Sequence, residues 1–211
     1  MTRRRLLVLD VDSTLIQQEV IELLAARAGS EQQVAAITER AMRGEIDFGE
    51  SLAERVRTLK GLSTSVFHEV AAEVRLTPGA PELLDAARAA GWTVALVSGG
   101  FEEIVSSIAG RVGVELFVAN RLEVSQGHLT GSTVGPVVDR NAKAVALSAF
   151  ARSAGIALTD TVAIGDGAND LGMMEIAGLS VAFAAKPVVR AAADLALDGP
   201  RLDAAWPLIS H

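Results

Sequence analysis

The sequence predicts an α/β fold in which a doubly wound parallel sheet carries a helical insert and a small β-hairpin. Short apolar runs rich in Val and Leu alternate with Ala-, Leu- and Arg-rich stretches of helical spacing. Such alternation is typical of parallel strands covered by helices on both faces. The exception is residues 16–74, which contain no convincing strand and therefore predict the insert.

The predicted strands are short apolar segments bounded by Gly, Asp or Ser, at residues 5–10, 92–98, 114–120, 160–166 and 179–183. Helical spacing predicts the connecting helices at residues 79–90, 101–112, 141–154 and 169–177. Functional groups of open parallel sheets lie beyond the carboxyl ends of the strands. We therefore expect a site where these strands end.

The insert begins with an apolar helical stripe that includes Ile16, Val20 and Leu24, and further helical segments follow at residues 31–42, 49–59 and 63–73. An insert directly after the first strand would lie above the expected site, so residues 16–74 are a candidate helical cap domain and lid. The predicted catalytic core is then residues 1–15 and 75–211.

Residues 120–136 alternate in polarity and contain Gly at a position that favours a tight turn, which predicts a β-hairpin flap.

Composition narrows the function. The chain has 211 residues, of which 50% are hydrophobic, a net charge of −7 and no Cys. An acidic chain without a basic face argues against a nucleic-acid partner, and the lack of Cys excludes thiolate chemistry. There is no apolar run of the roughly 20 residues that a membrane span needs, and no signal peptide is visible. These features favour a cytoplasmic protein with no membrane partner.

Candidate catalytic and binding residues lie at the ends of the first two predicted strands. Asp10 and Asp12 lie two apart, so their side chains can converge if the chain is extended there. Ser98, Gly99 and Gly100 combine a hydroxyl with open backbone N–H groups just before a predicted helix, an arrangement suited to phosphate oxygens.

Two further stretches complete the predicted site. Lys143 stands near a helix start, and Asp166, Asn169 and Asp170 follow the strand at 160–166. Together with Asp10 and Asp12, this makes four acids that one lysine cannot balance. A hard divalent cation can, and Mg²⁺ prefers oxygen ligands and commonly bridges carboxylate and phosphate.

These four stretches resemble, in order and spacing, the four motifs of the haloacid dehalogenase superfamily of phosphatases. The stretches DVDSTLIQQEVIELLA, SLAERVRTLKGL, VSGGF, ANRLEV, NAKA and AIGDGANDLGMMEIAGLSVAFAAKP resemble, more narrowly, its phosphoserine phosphatase family. The resemblance runs from about residue 5 to about residue 195. It implies a Rossmann-like core and Mg²⁺-dependent hydrolysis of O-phospho-L-serine, the last step of serine biosynthesis.

The resemblance also implies roles for the core residues. Asp10 would be the nucleophile that forms an aspartyl-phosphate, and Asp12 the general acid/base. Asp10 and Asp166 would bind Mg²⁺ together with the backbone carbonyl of Asp12. Ser98, Gly99 and Lys143 would hold phosphoryl oxygens. Asn169 and Asp170 would position the substrate, Lys143 and metal-bound waters.

In the cap, the resemblance matches Arg55 to the group that binds the substrate carboxylate and Glu19 to the group that binds its ammonium. Met42 and Phe48 match cap positions that close over the substrate. An Arg suits a carboxylate because its guanidinium can pair with both oxygens.

Other interpretations stay open at this stage. The chain could act on another small amino-acid phosphate such as phosphothreonine, or transfer phosphate to homoserine. It could also be a non-catalytic switch with a phosphorylated Asp, although Asp12 and the predicted lid argue against a long-lived aspartyl-phosphate. The first predicted strand starts close to the N-terminus, so we expect no regulatory domain before it. A monomer and a homodimer are both compatible with the sequence.

Overall fold

The computed structural model describes residues 5–211; residues 1–4 of the predicted core segment 1–15 lie outside this description. The described chain forms a seven-stranded sheet with the order β4-β3-β2-β1-β5-β6-β7. The strands are β1 (Leu6–Leu9), β2 (Thr93–Phe101), β3 (Leu116–Ser125), β4 (His128–Val134), β5 (Thr161–Gly165), β6 (Leu179–Phe183) and β7 (Leu195–Leu197). All neighbouring pairs are parallel except β3 and β4. The α/β class and the parallel sheet are confirmed.

Helices cover both faces of the sheet. They are α1 (Val20–Ala28), α2 (Glu31–Met42), α3 (Phe48–Arg57), α4 (Val66–Glu73), α5 (Ala80–Ala89), α6 (Glu102–Val112), α7 (Arg140–Ala154), α8 (Leu171–Ile176), α9 (Pro187–Ala192) and α10 (Trp206–Ile209). Alternate residues of β1 enter different cores, because successive side chains of a strand point to opposite faces. Leu7 belongs to the core that includes α5 and α6, and Val8 to the core that includes α7 and α8. This arrangement is the predicted doubly wound fold.

The inserted segment forms α1 to α4, and its two ends lie side by side. The backbone N–H of Gln17 donates to the carbonyl of Arg75 at 3.0 Å. Helix α3 begins with a capping box, in which Asp47 accepts from the N–H of Glu50 and Glu50 accepts from the N–H of Asp47. These two bonds place the start of α3, and Phe48 with it.

The hairpin extends the sheet and also contacts the insert. Strand β3 runs without a break from the sheet into the hairpin, and β4 returns antiparallel to it. The N–H of Gly61 donates to the carbonyl of Leu129 and the N–H of Leu129 to the carbonyl of Leu62, both at 2.8 Å. The hairpin is therefore joined by main-chain hydrogen bonds to the α3–α4 connection.

The strands differ from the sequence expectation in two details. The second strand was expected to end at residue 98, but β2 continues to Phe101, which pairs with Asn120 after a register shift. Strand β7 was not predicted, since three residues at a sheet edge are too few to show a periodicity. Within residues 5–211, no helix has both the length and the apolar character that a bilayer crossing requires.

Candidate active site

The predicted polar stretches meet at one edge of the sheet. Asp10 directly follows β1, residues 98–100 end β2, and Asp166 directly follows β5. Strands β1, β2 and β5 are parallel neighbours, so their carboxyl ends share that edge. The N–H of Asp10 donates to the carbonyl of Ile164 at 2.9 Å, which fixes the Asp10 backbone to the neighbouring strand.

Three carboxylates and one ammonium form the centre of the site. Asp10, Asp166 and Asp170 each offer an oxygen, and these oxygens lie within 4.8 Å of one another. The Nζ of Lys143, which is fully buried, donates to Oδ1 of Asp10 and, at 2.5 Å, to Oδ1 of Asp170. The structure therefore brings together four of the residues that the sequence singled out.

Asp170 has a second set of contacts that explains its orientation. Its Oδ2 accepts from the backbone N–H groups of Asp166 at 3.0 Å and Gly167 at 2.9 Å. A Cβ at position 165 would lie 2.4 Å from this oxygen, so the turn requires Gly165. Asp170 thus links the Asp166 turn to Lys143.

The electrostatics of this cluster show an excess of negative charge. Burial and the nearby Asp170 raise the pKa of Asp10 well above that of an exposed Asp, and the same two causes raise the pKa of Asp166 to about 7. Burial lowers the pKa of Lys143, but the carboxylates of Asp10 and Asp170 more than offset this and raise it. Lys143 is thus charged, but its single charge does not balance the three carboxylates. A donor set made only of oxygens fits a hard divalent cation.

The metal-free protein should lose stability as the pH rises. The raised pKa values of Asp10, Asp12 (to about 6) and Asp166 (to about 7) mean that the folded chain binds protons more tightly than the unfolded chain. Their stabilising contribution is present below the ordinary Asp pKa of 3.8 and is lost as the pH passes through these folded-state values. In EDTA, we expect the Tm to fall by at least about 5 °C between about pH 5 and about pH 8.

Thermal unfolding followed by circular dichroism measures this dependence. Asp166→Asn should reduce the fall, because it removes one of the titrating groups. A Tm that rises over the same interval would contradict the interpretation of the cluster.

Asp12 does not join the three-acid cluster. Its Oδ1 accepts from the backbone N–H of Val20 at 2.7 Å, and its Oδ2 accepts from the hydroxyl of Ser98 at 2.8 Å. Burial and the nearby Glu19 raise the pKa of Asp12 to about 6, while these two hydrogen bonds oppose the rise. Asp12 is therefore held between the first insert helix and the end of β2, with a pKa suited to proton transfer near neutral pH.

The end of β2 packs closely against Asp12, the insert and the Asp166 loop. The N–H of Gly100 donates to the Ser98 hydroxyl at 2.8 Å, and a Cβ at position 100 would lie 2.6 Å from Oδ2 of Asp12. A Cβ at position 99 would lie 3.2 Å from Cζ of Phe48 and 3.3 Å from Nδ2 of Asn169. Gly99, Phe48 and Asn169 thus lie together.

Of the other cap residues, Glu19 and Arg55 lie near Asp12. The Ser13 hydroxyl donates to Glu19 at 2.6 Å. Burial lowers the pKa of Arg55, and the carboxylates of Glu19 and Asp12 oppose this shift, so the three charges are close enough to interact. Met42 ends α2 with 70% of its surface exposed.

Asn120 was not among the predicted site residues. Its side-chain amide donates to the carbonyl of Gly99 at 2.8 Å, and its Oδ1 accepts from the N–H of Val138 at 2.8 Å. It thereby connects the end of β2 to the segment leading into the Lys143 helix. A polar residue at the end of an apolar run was visible in the sequence, but nothing in the run indicated the partners of that residue.

Comparisons with known proteins agree with this geometry. Residues 7–175 match a family described as haloacid dehalogenase-like hydrolase. The chain is 50% identical over 197 residues to a phosphoserine phosphatase of Streptococcus thermophilus, covering 93% of this chain and 92% of the relative. It is 54% identical over 200 residues to a phosphoserine phosphatase of Streptomyces coelicolor, covering 95% of this chain and 49% of the relative. The chain therefore spans about half the length of that relative, and likewise of the one from Mycobacterium tuberculosis.

Solved structures are similar over nearly the whole chain. A substrate-bound phosphoserine phosphatase complex superimposes with a TM-score of 0.94 at 39% identity, covering 99% of this chain and 100% of that one. A phospho-aspartyl intermediate analogue of phosphoserine phosphatase gives a TM-score of 0.93 at 40% identity, with 98% and 99% coverage.

The chain belongs to the haloacid dehalogenase-like hydrolases. Within that class, the relatives and solved structures named above are phosphoserine phosphatases, and it is this family that the chain joins.

Proposed function

We propose that this protein is a Mg²⁺-dependent phosphoserine phosphatase, which hydrolyses O-phospho-L-serine to L-serine and phosphate. The observation that carries the proposal is the buried Asp10–Lys143–Asp170 cluster, with Asp166 beside it, near an insert that supplies Glu19 and Arg55. The names of the similar proteins support the same reaction.

The proposed reaction has two steps. An oxygen of Asp10 attacks phosphorus, the bond from phosphorus to the seryl oxygen breaks, and Asp12 gives a proton to that departing oxygen. In the second step Asp12 takes a proton from water, which attacks the aspartyl-phosphate and releases phosphate, so that Asp10 is regenerated. An alkoxide leaves poorly unless it is protonated, and a covalent intermediate divides the displacement into two easier steps.

The remaining groups bind the phosphoryl oxygens. Lys143 supplies a fixed positive charge, and Ser98 and the N–H of Gly99 supply donors. Asp10 and Asp166, with the backbone carbonyl of Asp12, would hold Mg²⁺. Bound there, the ion would neutralise charge on the phosphoryl group. Asp170 supports this set by orienting Lys143, and Asn169 would position substrate.

The insert, residues 16–74, is proposed to act as a cap over the core formed by residues 1–15 and 75–211. Arg55 would bind the substrate carboxylate and Glu19 its ammonium, while Phe48, already beside Gly99, would exclude water. Met42, exposed at the end of α2, would also close over the substrate. The cytoplasmic location and the monomeric or homodimeric state stay predictions.

Phosphate release from a panel of small phosphomonoesters tests the function. We expect O-phospho-L-serine to be turned over with Mg²⁺ and not after EDTA treatment, and Ca²⁺ to fail as a replacement because it does not keep octahedral geometry. Faster turnover of phosphothreonine, or phosphate transfer to homoserine, would favour the alternative reactions. No release from any ester in the presence of Mg²⁺ would refute the proposal.

Arg55→Ala should separate substrate recognition from chemistry. Loss of the guanidinium removes the partner of the substrate carboxylate, so the KM for phosphoserine should rise by at least about tenfold, the scale of a charge-assisted hydrogen bond. The KM for 4-nitrophenyl phosphate, which has no carboxylate, should change little. Arg57→Ala, which alters an exposed neighbour on the same helix, is the matched control. Equal losses on both substrates would remove Arg55 from recognition.

A further inference from the structure

The two carboxyl oxygens of Asp12 have partners of different kinds. Oδ1 faces the backbone N–H of Val20, at 2.7 Å, and Oδ2 faces the hydroxyl of Ser98, at 2.8 Å. The proposed reaction assigns a role to Ser98 but none to Val20. The contact from Val20 is the one that constrains where Asp12 can carry a proton.

A backbone N–H can only donate a hydrogen bond, whereas a hydroxyl can donate or accept. The N–H of Val20 therefore favours Oδ1 as the acceptor in both protonation states of Asp12, because the hydroxyl oxygen of a protonated carboxyl is a weaker acceptor than its carbonyl oxygen. The Ser98 hydroxyl can turn to accept from a proton on Oδ2. Oδ2 is also the oxygen beside the end of β2, since a Cβ on Gly100 would lie 2.6 Å from it.

The helix explains why this N–H is free to bind Asp12. Val20 is the first residue of α1, and the first N–H groups of a helix have no partner within the helix. Glu19, which precedes the helix, makes no side-chain hydrogen bond to it. Asp12 therefore takes the place of the capping side chain, and the start of the first insert helix is bonded directly to the proposed acid/base.

We propose that the backbone N–H of Val20 is a positioning group for proton transfer, which keeps Oδ1 of Asp12 an acceptor and so places the transferable proton on Oδ2. Oδ2 faces the segment that would bind the phosphoryl group, where the leaving oxygen departs. This inference rests on the proposed function, in which Asp12 protonates that oxygen.

Replacing Val20 with its α-hydroxy acid removes this donor and keeps the isopropyl group. Val20→Pro is the genetically encoded variant; it removes the donor but also places its Cδ where the N–H hydrogen points at Oδ1. Proline is tolerated at the first position of a helix, where no intrahelical hydrogen bond is lost. Glu19 already has φ −92° and ψ 118°, which is compatible with a following proline. Val20 is fully buried, so Val20→Ala is the matched control: it also truncates the side chain but keeps the N–H.

The readout is the dependence of kcat/KM on the leaving group, measured with Mg²⁺ on a series of aryl phosphates whose phenols differ in pKa. These esters lack the amino-acid group, so contacts with Glu19 and Arg55 do not enter. For Val20→Pro we expect a loss of at least about tenfold relative to Val20→Ala on phenyl phosphate, part of the roughly 100- to 10,000-fold that general acid catalysis contributes. On 4-nitrophenyl phosphate, whose leaving group needs little protonation, the two variants should be nearly equal.

A steeper leaving-group dependence in Val20→Pro supports the proposal. A parallel loss across the series, or none, overturns it, because a merely structural effect would lower all esters alike. The α-hydroxy acid variant, compared with the unaltered protein, is judged by the same criterion and decides the matter, because it removes the N–H without displacing Oδ1. A parallel loss or no loss in that variant overturns the proposal even if Val20→Pro shows a steeper dependence. Phosphoserine turnover by the unaltered protein is scored separately: its absence would refute the proposed substrate, while the aryl series would still decide the role of Val20.

Discussion

Asp10→Asn is expected to abolish turnover of O-phospho-L-serine and to leave no phosphorylated enzyme. Asp10 directly follows β1, and one of its oxygens accepts from the Nζ of Lys143. An amide is a poor nucleophile, so no aspartyl-phosphate can form at this position. We expect kcat to fall by at least about 10,000-fold, the order seen when a covalent nucleophile is removed from an enzyme.

Acid-quench trapping of the phosphoenzyme, together with phosphate release, measures this effect. The matched control is Asp85→Asn, because Asp85 is an exposed carboxylate that pairs with Arg88 away from the site. Circular dichroism establishes that the Asp10 variant is folded. Normal turnover by Asp10→Asn, or a phosphoenzyme of undiminished amount, would overturn the assignment of the nucleophile.

The centre of the site could be predicted because it depends on strand ends. Asp10 and Asp166 follow apolar runs, and parallel neighbouring strands necessarily bring such residues to one edge. The excess of acids over lysines was likewise visible without coordinates. In the structure, burial and this excess of carboxylates raise the pKa values of Asp10 and Asp166. Order and spacing then identified Lys143, which pattern alone would have placed on the surface.

Other features depend on contacts that no local pattern contains. The contacts of Asp12 are one example. The chain turns at Ser13, whose φ is +56°, and the Asp12 carboxyl accepts from the N–H of Val20 and the hydroxyl of Ser98. The bridge formed by Asn120 similarly depends on how strand ends and loops pack in three dimensions.

Lys143→Met should be the most destabilising of the proposed changes. Lys143 is the one fully buried Lys or Arg in residues 5–211, and it pairs with both Asp10 and Asp170. Methionine approximates its shape but leaves these two carboxylates without their cation. Breaking a buried ion pair in this way typically costs about 3–5 kcal/mol, and we expect a loss of that size in the free energy of unfolding at neutral pH in EDTA. Turnover should also be lost, since no fixed charge then faces the phosphoryl group.

The pH dependence of this loss distinguishes charge from packing. Without Lys143, the pKa of Asp10 should rise further, so its protonation at lower pH reduces the repulsion between the carboxylates and restores stability. Urea unfolding in EDTA should therefore show a smaller difference from the unaltered protein at about pH 5 than at about pH 8. Lys60→Met, at an exposed lysine, should show no such dependence. An equal loss at both pH values would mean that Lys143 stabilises the fold by filling space, and the ionic account of the cluster would be wrong.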